Sequence, residues 1–251
     1  MDDQKRLTVL ARRVTRRLPV PIQSGLRQLR RLATGSSQQS TSTPLLTVVV
    51  VATNAVASLP ACLHSLRSQT LKRIEVLVVD NGSTDGTATV AEEVVAQDPR
   101  FHLLRRPQLG LTASRNAGAR IARGRYLSFV DATDTVPATA YATLINSLRH
   151  TGSDFAAGGV RTVFRGRRHR PSWTTVTHDL DRPALALSDF PLAILDSCAT
   201  NRVFRTSFWN LAVGGFPDAP DGESFAIARA TLRARTFDLL QAVNGRGRLL
   251  D

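Results

Sequence analysis

Apolar runs alternate with amphipathic stretches along the chain from Leu45 onward. The segment "LTVVVVA" at 46–52 is a continuous, mostly β-branched run, which is typical of a parallel strand buried on both faces. Residues 58–68, "SLPACLHSLRS", place apolar side chains at helical spacing and predict an amphipathic helix. A second apolar run, "IEVLVVD" at 74–80, predicts another buried strand and leads into the turn sequence "NGSTDG".

The same alternation continues to the end of a fourth predicted strand. This βαβαβαβ order predicts an α/β fold with a mostly parallel, doubly wound sheet flanked by helices. Ligands bind such sheets at the carboxyl ends of the strands, where Asp80 and Asp131 lie. The further elements predicted are a helix at 87–97, a strand at 101–106, a loop at 107–112, a helix at 113–122, a strand at 125–131 and another strand within 152–166.

The first 33 residues differ in composition from the rest. The 251-residue chain has a formal net charge of +13, and residues 1–33 hold nine Lys or Arg against two Asp, which gives +7. Apolar residues fall at helical spacing between these cations. We predict a basic amphipathic helical leader at 1–33 that adsorbs to an anionic membrane surface, with packing onto a partner domain and nucleic-acid binding as alternatives. The polar segment 34–44 is predicted to be a flexible linker before a domain at 45–251.

Composition also narrows the class of protein. No apolar run approaches the ~20 residues of a membrane-spanning helix, and the N-terminus lacks the apolar core of a signal peptide. Cys62 and Cys198 match no metal-ligand spacing, so free, buried thiols in a reducing compartment are expected. No nucleic-acid recognition motif accompanies the basic charge, so no nucleic-acid partner is expected. These features predict a cytoplasmic protein, peripheral on the inner face of the plasma membrane where residues 1–33 adsorb.

Three blocks within residues 45–136 carry a resemblance to a known family. They are "LTVVVVATN", "CLHSLRSQTLKRIEVLVVDNGSTDGT" and "GLTASRNAGARIARGRYLSFVDATD". In order and spacing they resemble the N-terminal half of inverting family 2 glycosyltransferases with the GT-A fold. The resemblance implies transfer of a sugar from a nucleoside-diphosphate donor, bound by residues 45–136, to an acceptor bound by residues 137–251. In that second half, "CATNRVFRTSFWN" resembles transferases of teichoic-acid and other polyol-phosphate polymer synthesis, which implies a cell-envelope glycan or polyol-phosphate acceptor.

The resemblance implies a base pocket at the ends of the first two strands. Asp80 matches the first Asp of the family's "DDGSTD" block and would accept a hydrogen bond from the nucleotide base, with Asn81 beside it. Thr53 and Asn54 match a Tyr-Asn pair that lines this pocket. Together these four residues form the predicted nucleotide end of the donor site.

Further residues would hold the diphosphate. Gly110 would allow close backbone approach, and Arg115 would offer a forked cation to the pyrophosphate. Asp131 matches the first Asp of the family's ribose and metal motif. The resemblance implies a divalent cation, Mg²⁺ or Mn²⁺, at Asp131 with Asp134 as a further candidate ligand, although Thr133 stands where the family has its principal metal-binding carboxylate.

The acceptor side departs from the family at a second carboxylate. Glu223 keeps the first position of a Glu-Asp pair whose Asp acts as general base, whereas Ser224 occupies the Asp position. Glu223 is the remaining candidate base, and an acid at a helix N-terminus is its alternative role. Two interpretations follow: a glycosyltransferase with Asp131 and Glu223 as catalytic residues, or a catalytically degenerate GT-A domain that binds a nucleotide, a glycopolymer or a partner.

Overall fold

The computed structural model describes residues 43–164 and 167–245. The predicted leader at 1–33 lies outside the described residues, as does the predicted linker except for its last two positions. Across the described ranges, no helix is long and apolar enough to cross a membrane.

A central sheet organises the described chain. Its first four strands are parallel, with β1 between β2 and β4 and with β3 on the outer side of β2. The second half is mixed, because β8 runs antiparallel to both β4 and β5. The order is β3-β2-β1-β4-β8-β5-β9-β7, and β6 pairs with β5. The strands are β1 (Leu46–Ala52), β2 (Ile74–Asn81), β3 (Phe101–Arg106), β4 (Tyr126–Asp131), β5 (Phe155–Phe164), β6 (Arg167–His169), β7 (Arg182–Leu185), β8 (Arg202–Arg205) and β9 (Phe237–Gly245).

Helices cover both faces of this sheet. They are α1 (Leu59–Arg67), α2 (Thr87–Gln97), α3 (Leu111–Ile121), α4 (Ala140–Thr151), α5 (Ser172–Thr177), α6 (Thr206–Phe208) and α7 (Gly222–Arg233), with a 3₁₀ turn at Pro191–Leu195 and a π turn at Trp209–Val213. One core cluster joins the sheet to α1, α2 and α4, and the other joins it to α3 and α7. The predicted α/β class and the four parallel strands are confirmed. The predicted helix at 113–122 begins two residues earlier, directly after Gly110.

Alternation along the strands explains the two cores. In β1, Val48 and Val50 belong to the α1/α4 cluster, whereas Val49 and Val51 belong to the α3/α7 cluster. Successive strand side chains point to opposite faces, so a run without polar interruptions is required where both faces are covered. The two cysteines are free and buried, as predicted.

The strand register brings the predicted site residues to one edge. Val51 pairs with Asp131 on β4, and Ala52 pairs with Asp80 on β2. The carboxyl ends of β1, β2 and β4 therefore meet at the same level, with the loop after β1 between them. This edge is the candidate functional site.

Candidate donor and acceptor site

Two turns interlock at the ends of β1 and β2. The Oδ1 atom of Asn54 accepts the backbone N–H of Thr84 at 2.9 Å, and the Asn54 N–H donates to the Ser83 hydroxyl at 3.0 Å. Asp80 is buried, and its Oδ1 accepts the N–H of Ser83 at 3.2 Å. The structure thus places Asp80 and Asn54 side by side at the predicted base pocket, with Asn54 in the left-handed region at φ 46°.

Asn81 connects three segments of the site. Its amide nitrogen donates to the hydroxyl of Thr53 at 3.1 Å, and its amide oxygen accepts the N–H of Leu109 at 2.8 Å and the hydroxyl of Ser114 at 3.0 Å. Because both lone pairs of that oxygen are used inside the protein, Asn81 acts here by holding the loop before α3 against the end of β2. The predicted contact of Asn81 with the nucleotide stays a prediction.

Gly110 supplies the bend that starts α3. Its φ of 88° and ψ of 163° lie in a region that only glycine populates readily. A Cβ built at this position meets no atom within 4 Å. The glycine is therefore required by the backbone conformation and not by crowding around its α-carbon.

Arg115 bridges the two predicted catalytic carboxylates. Its Nη2 donates to Oδ1 of Asp131 at 2.7 Å, and its Nη1 donates to Oε2 of Glu223 at 2.7 Å. The guanidinium is fully buried and lies 5.4 Å from the ring centroid of Phe216. Burial would lower the pKa of Arg115, but the charges of Asp131 and Glu223 outweigh that effect and raise the pKa above its ordinary value. In this arrangement the guanidinium has no exposed surface and both of its Nη atoms bond carboxylates, so the predicted contact with a pyrophosphate stays a prediction that requires one of these bonds to open.

Glu223 is held on both of its oxygens. Its Oε1 accepts the N–H of Ala199 at 2.8 Å, while Oε2 accepts from Arg115. Its side chain retains 29% of its surface, and that of Asp131 retains 32%, so each carboxylate still faces solvent on one side. Ser224, one residue on, is exposed.

The loop before α7 is fixed to α3 by reciprocal bonds. The side-chain amide of Asn116 donates to the carbonyl of Phe216 at 2.8 Å and accepts the Phe216 N–H at 2.9 Å. Gly215 has φ 108°, and a Cβ there would lie 2.8 Å from Asn116 Oδ1. Gly222 lies so close to the carbonyl of Pro217 that any Cβ would overlap it. These contacts set the position at which Glu223 enters the site.

A further polar network holds the loop that contains Ala199. Asp196 is fully buried and accepts hydrogen bonds from His178 Nε2 at 3.0 Å, Asn201 Nδ2 at 2.8 Å and Arg202 Nη1 at 3.1 Å. Arg202 also donates to the carbonyls of Asp196 and Cys198, so it closes the loop that presents the Ala199 N–H. Neither this network nor the Asn116 contacts were predictable from the sequence, because isolated polar residues without a motif do not reveal partners this distant.

The residues at this edge do not fit a divalent cation. The Asp131 carboxylate bonds Arg115 at 2.7 Å, Asp134 is buried, and the charges of both act on the thiol of Cys62. Burial, followed by the charges of Asp134 and Asp131, raises the pKa of the Cys62 thiol. Thr133 is exposed and offers a neutral hydroxyl. In the part of the chain that the structure describes, no group of three or more His, Cys, Asp or Glu side chains could hold a metal ion.

Comparison with known proteins identifies the class of protein that this fold and site define. The model of the family "Glycosyl transferase family 2" matches residues 47–211, more than half of the chain. The chain therefore belongs to glycosyl transferase family 2, as the three sequence blocks predicted.

Individual relatives agree with this assignment. The uncharacterized glycosyltransferase YibD of Escherichia coli is 33% identical over 124 residues, which are 49% of this chain and 36% of YibD. The structure of S. aureus TarS 1–349 in complex with UDP-GlcNAc is similar with a TM-score of 0.71 and 21% identity, over 82% of this chain and 59% of that chain. The mannosyltransferase PcManGT from Pyrobaculum calidifontis, in complex with GDP-Man and Mn²⁺, has a TM-score of 0.62 and 19% identity, over 90% of this chain and 64% of that chain.

These likenesses confirm the GT-A fold. At 19–21% identity, the solved structures are evidence for the fold alone. The chain spans 36% of YibD and 59% of the TarS chain, less than two thirds of either.

Proposed function

We propose that this protein is an inverting glycosyltransferase that moves a sugar from a nucleoside-diphosphate donor to a cell-envelope glycan or polyol-phosphate acceptor. The nucleotide would lie over the ends of β1 and β2, where Asp80 and Asn54 present their polar atoms beside the exposed Thr53. The diphosphate would lie over the open space at Gly110 and reach the half-exposed Asp131. That two relatives were solved with UDP-GlcNAc and with GDP-Man supports a donor of this class.

The observation that carries the proposal is the convergence of Asp131 and Glu223 on one guanidinium. These residues come from different halves of the chain, yet both bond Arg115 at 2.7 Å. A donor-side carboxylate is thereby fixed next to an acceptor-side carboxylate, at the carboxyl edge of a parallel sheet. In the proposed reaction, Glu223 accepts the proton of the acceptor hydroxyl as the oxygen attacks the anomeric carbon and the nucleoside diphosphate departs. Arg115 positions both carboxylates and touches neither reactant.

One observation favours the second interpretation, a catalytically degenerate module that binds a nucleotide, a glycopolymer or a partner. Both oxygens of Glu223 already accept hydrogen bonds, so taking the proton of an acceptor hydroxyl would require one of these bonds to be given up. Ser224 supplies no carboxylate at the neighbouring exposed position. In this case the base pocket at Asp80 would still bind a nucleotide without transfer.

Nucleotide release distinguishes these two functions. The full chain is incubated with UDP-, GDP-, TDP- and CDP-activated sugars, and the freed nucleotide is measured for wild type, Asp131→Ala and Glu93→Gln. Glu93 is an exposed carboxylate on α2 and serves as the matched control. The transferase proposal requires release that Asp131→Ala removes and Glu93→Gln preserves. Absence of release together with calorimetric binding of UDP supports the module, and release that persists in Asp131→Ala contradicts the assignment of Asp131.

The basic charge of residues 1–33 bears on where in the cell the protein would act. We propose that residues 1–33, with their +7 charge, hold the protein on the cytoplasmic face of an anionic membrane, close to an envelope acceptor. Replacing Arg12, Arg13, Arg16 and Arg17 by Gln should release the protein from sedimented anionic vesicles. Equal sedimentation of this variant and wild type would contradict membrane adsorption.

A further inference from the structure

The hairpin formed by β5 and β6 extends beyond the catalytic edge. Ser128 on β4 and Ala156 on β5 both pair with Val203 of β8, so these two positions lie at the same level. Both strands are antiparallel to β8 and therefore run in the same direction. Asp131 is three residues beyond Ser128 on β4, so Gly159, three residues beyond Ala156 on β5, corresponds to it in level. Arg161 lies two residues, or about 7 Å, farther along β5. With β8 between β4 and β5, regular strand spacing would put Arg161 about 10 Å to the side of Asp131, and the pairing of β5 with β9 shifts register between Gly158 and Val160.

Two arginines of this hairpin lie on the face of the sheet that carries Glu223. Phe155 and Ala157 belong to the α3/α7 cluster, and a Cβ at Gly159 would point to His178 at 3.4 Å and to the Arg170 guanidinium at 3.9 Å. Strand alternation therefore puts Arg161 on this face as well. Arg170 lies there too, with its Nη2 donating to the carbonyl of His178 at 2.5 Å. Both side chains are exposed.

The positive charge of this face is not neutralised by neighbouring acids. Residues 155–171 contain no Asp or Glu, and within the described ranges neither Arg161 nor Arg170 pairs with a carboxylate. Of the acids in the following loop, Asp179 pairs with Arg182 at 2.5 Å, and Asp181 accepts the backbone N–H of Gln241 at 2.7 Å. Arg170 directly follows β6, whose last residue, His169, pairs with Thr162 next to Arg161, so the two like charges are neighbours and a bound anion would stabilise this arrangement.

We propose that Arg161 and Arg170 form a docking surface for an acceptor polymer that carries phosphodiester groups. A guanidinium binds phosphate oxygens through its planar fork, and a polymer lying along this face would reach Glu223 with its terminal hydroxyl. This inference rests on the proposed function for the identity of the ligand as an acceptor. The arginine-dependent binding itself requires no turnover.

Binding of a labelled oligo(glycerol phosphate) to the full chain tests the proposal. Fluorescence anisotropy is measured against increasing salt, with an uncharged dextran oligosaccharide and a single-stranded oligonucleotide of equal charge as competitors. Arg161→Gln should weaken binding several-fold, and Arg161→Gln with Arg170→Gln about tenfold or more, with a shallower salt dependence because fewer counterions are released. The single variant leaves the Arg170 bond to His178 intact, so it remains informative if the double variant folds poorly.

Arg167 provides the matched control on the same hairpin. Thr162 pairs with His169, and Arg167 shares the face of His169, opposite to Arg161. Arg167→Gln should change binding less than about twofold, and since the basic leader is present in every variant its contribution cancels. The proposal would be overturned if Arg167→Gln lost as much affinity as Arg161→Gln. It would also be overturned if the protein bound dextran as tightly as oligo(glycerol phosphate), or bound the oligonucleotide more tightly. Arginine-dependent binding without nucleotide release from any donor would instead refute the proposed transferase function and leave this surface established.

Discussion

Replacing Arg115 by methionine should destabilise the fold more than any exposed arginine substitution. The change keeps the aliphatic packing against Phe216 but removes the cation between Asp131 and Glu223. Two carboxylates are then left facing each other with no positive charge between them. Arg115→Lys keeps the charge but has no planar fork, so one carboxylate loses its partner.

The magnitude follows from burial on each side of the bridge. Breaking a buried ion pair by removing one partner costs about 3–5 kcal/mol. Here the arginine is fully buried, but both carboxylates are about 30% exposed and can recover part of their hydration. We therefore expect Arg115→Met to lower the free energy of unfolding by about 3 kcal/mol and Arg115→Lys by about half of that. For a domain of about 200 residues, 3 kcal/mol corresponds to a decrease in Tm of about 6–12 °C.

Trp209 provides the optical signal for this measurement. It lies in the buried aromatic cluster at 5.0 Å from the ring of Phe216, which in turn contacts Arg115. Urea unfolding followed by tryptophan fluorescence, to which Trp173 also contributes, gives the free energy of unfolding of each variant. Arg120→Met, an exposed position five residues later on α3, is the control and should stay within about 0.5 kcal/mol of wild type. A loss below about 1 kcal/mol in Arg115→Met, or equal losses in both variants, would refute the bridge as a stabilising element.

Three further predictions concern metal, base and pH. Nucleotide release by wild type should change less than about twofold on addition of Mn²⁺ or EDTA, whereas Thr133→Asp, which adds a carboxylate near Asp131, should gain a measurable Mn²⁺ dependence. Ser224→Asp should raise turnover about tenfold or more if transfer is limited by proton abstraction, and unchanged turnover would argue for Glu223 as a sufficient base. Burial would raise the pKa of Asp196, but the charge of Arg202 and the bond to His178 outweigh burial and lower the pKa below 3.8. The ionised Asp196 therefore contributes its full stabilisation above about pH 4, and this stabilisation is lost as the pH falls further. Asp196→Asn should therefore cost about 3 kcal/mol at pH 7, and the difference from wild type should shrink in unfolding curves below about pH 4; a pH-independent difference would contradict this assignment.

The sequence by itself determined the secondary structure of residues 46–131 and placed Asp80 and Asp131 at strand ends that meet at one edge of the sheet. Continuous β-branched runs can only be accommodated where both faces of a strand are covered, so the parallel strands at 46–52 and 74–80 were predictable from local pattern. The turn sequence after the second strand predicted the position of Asp80. Asp131 was predictable because it is the last residue of the fourth apolar run. Three motif blocks in order were enough to predict the family and its fold.

Only the tertiary structure decided the partners of the charged side chains. The partners of Arg115 lie 16 and 108 residues away along the chain, and nothing in the local pattern around it distinguishes a ligand-binding arginine from a bridging one. Asp134 is three residues from Asp131, yet the intervening turn buries Asp134 whereas the side chain of Asp131 stays 32% exposed. Periodicity reports which face a residue occupies, whereas pairing depends on how α3, α7 and the loop at Ala199 pack together. That packing requires contacts between distant segments, which a local sequence pattern does not encode.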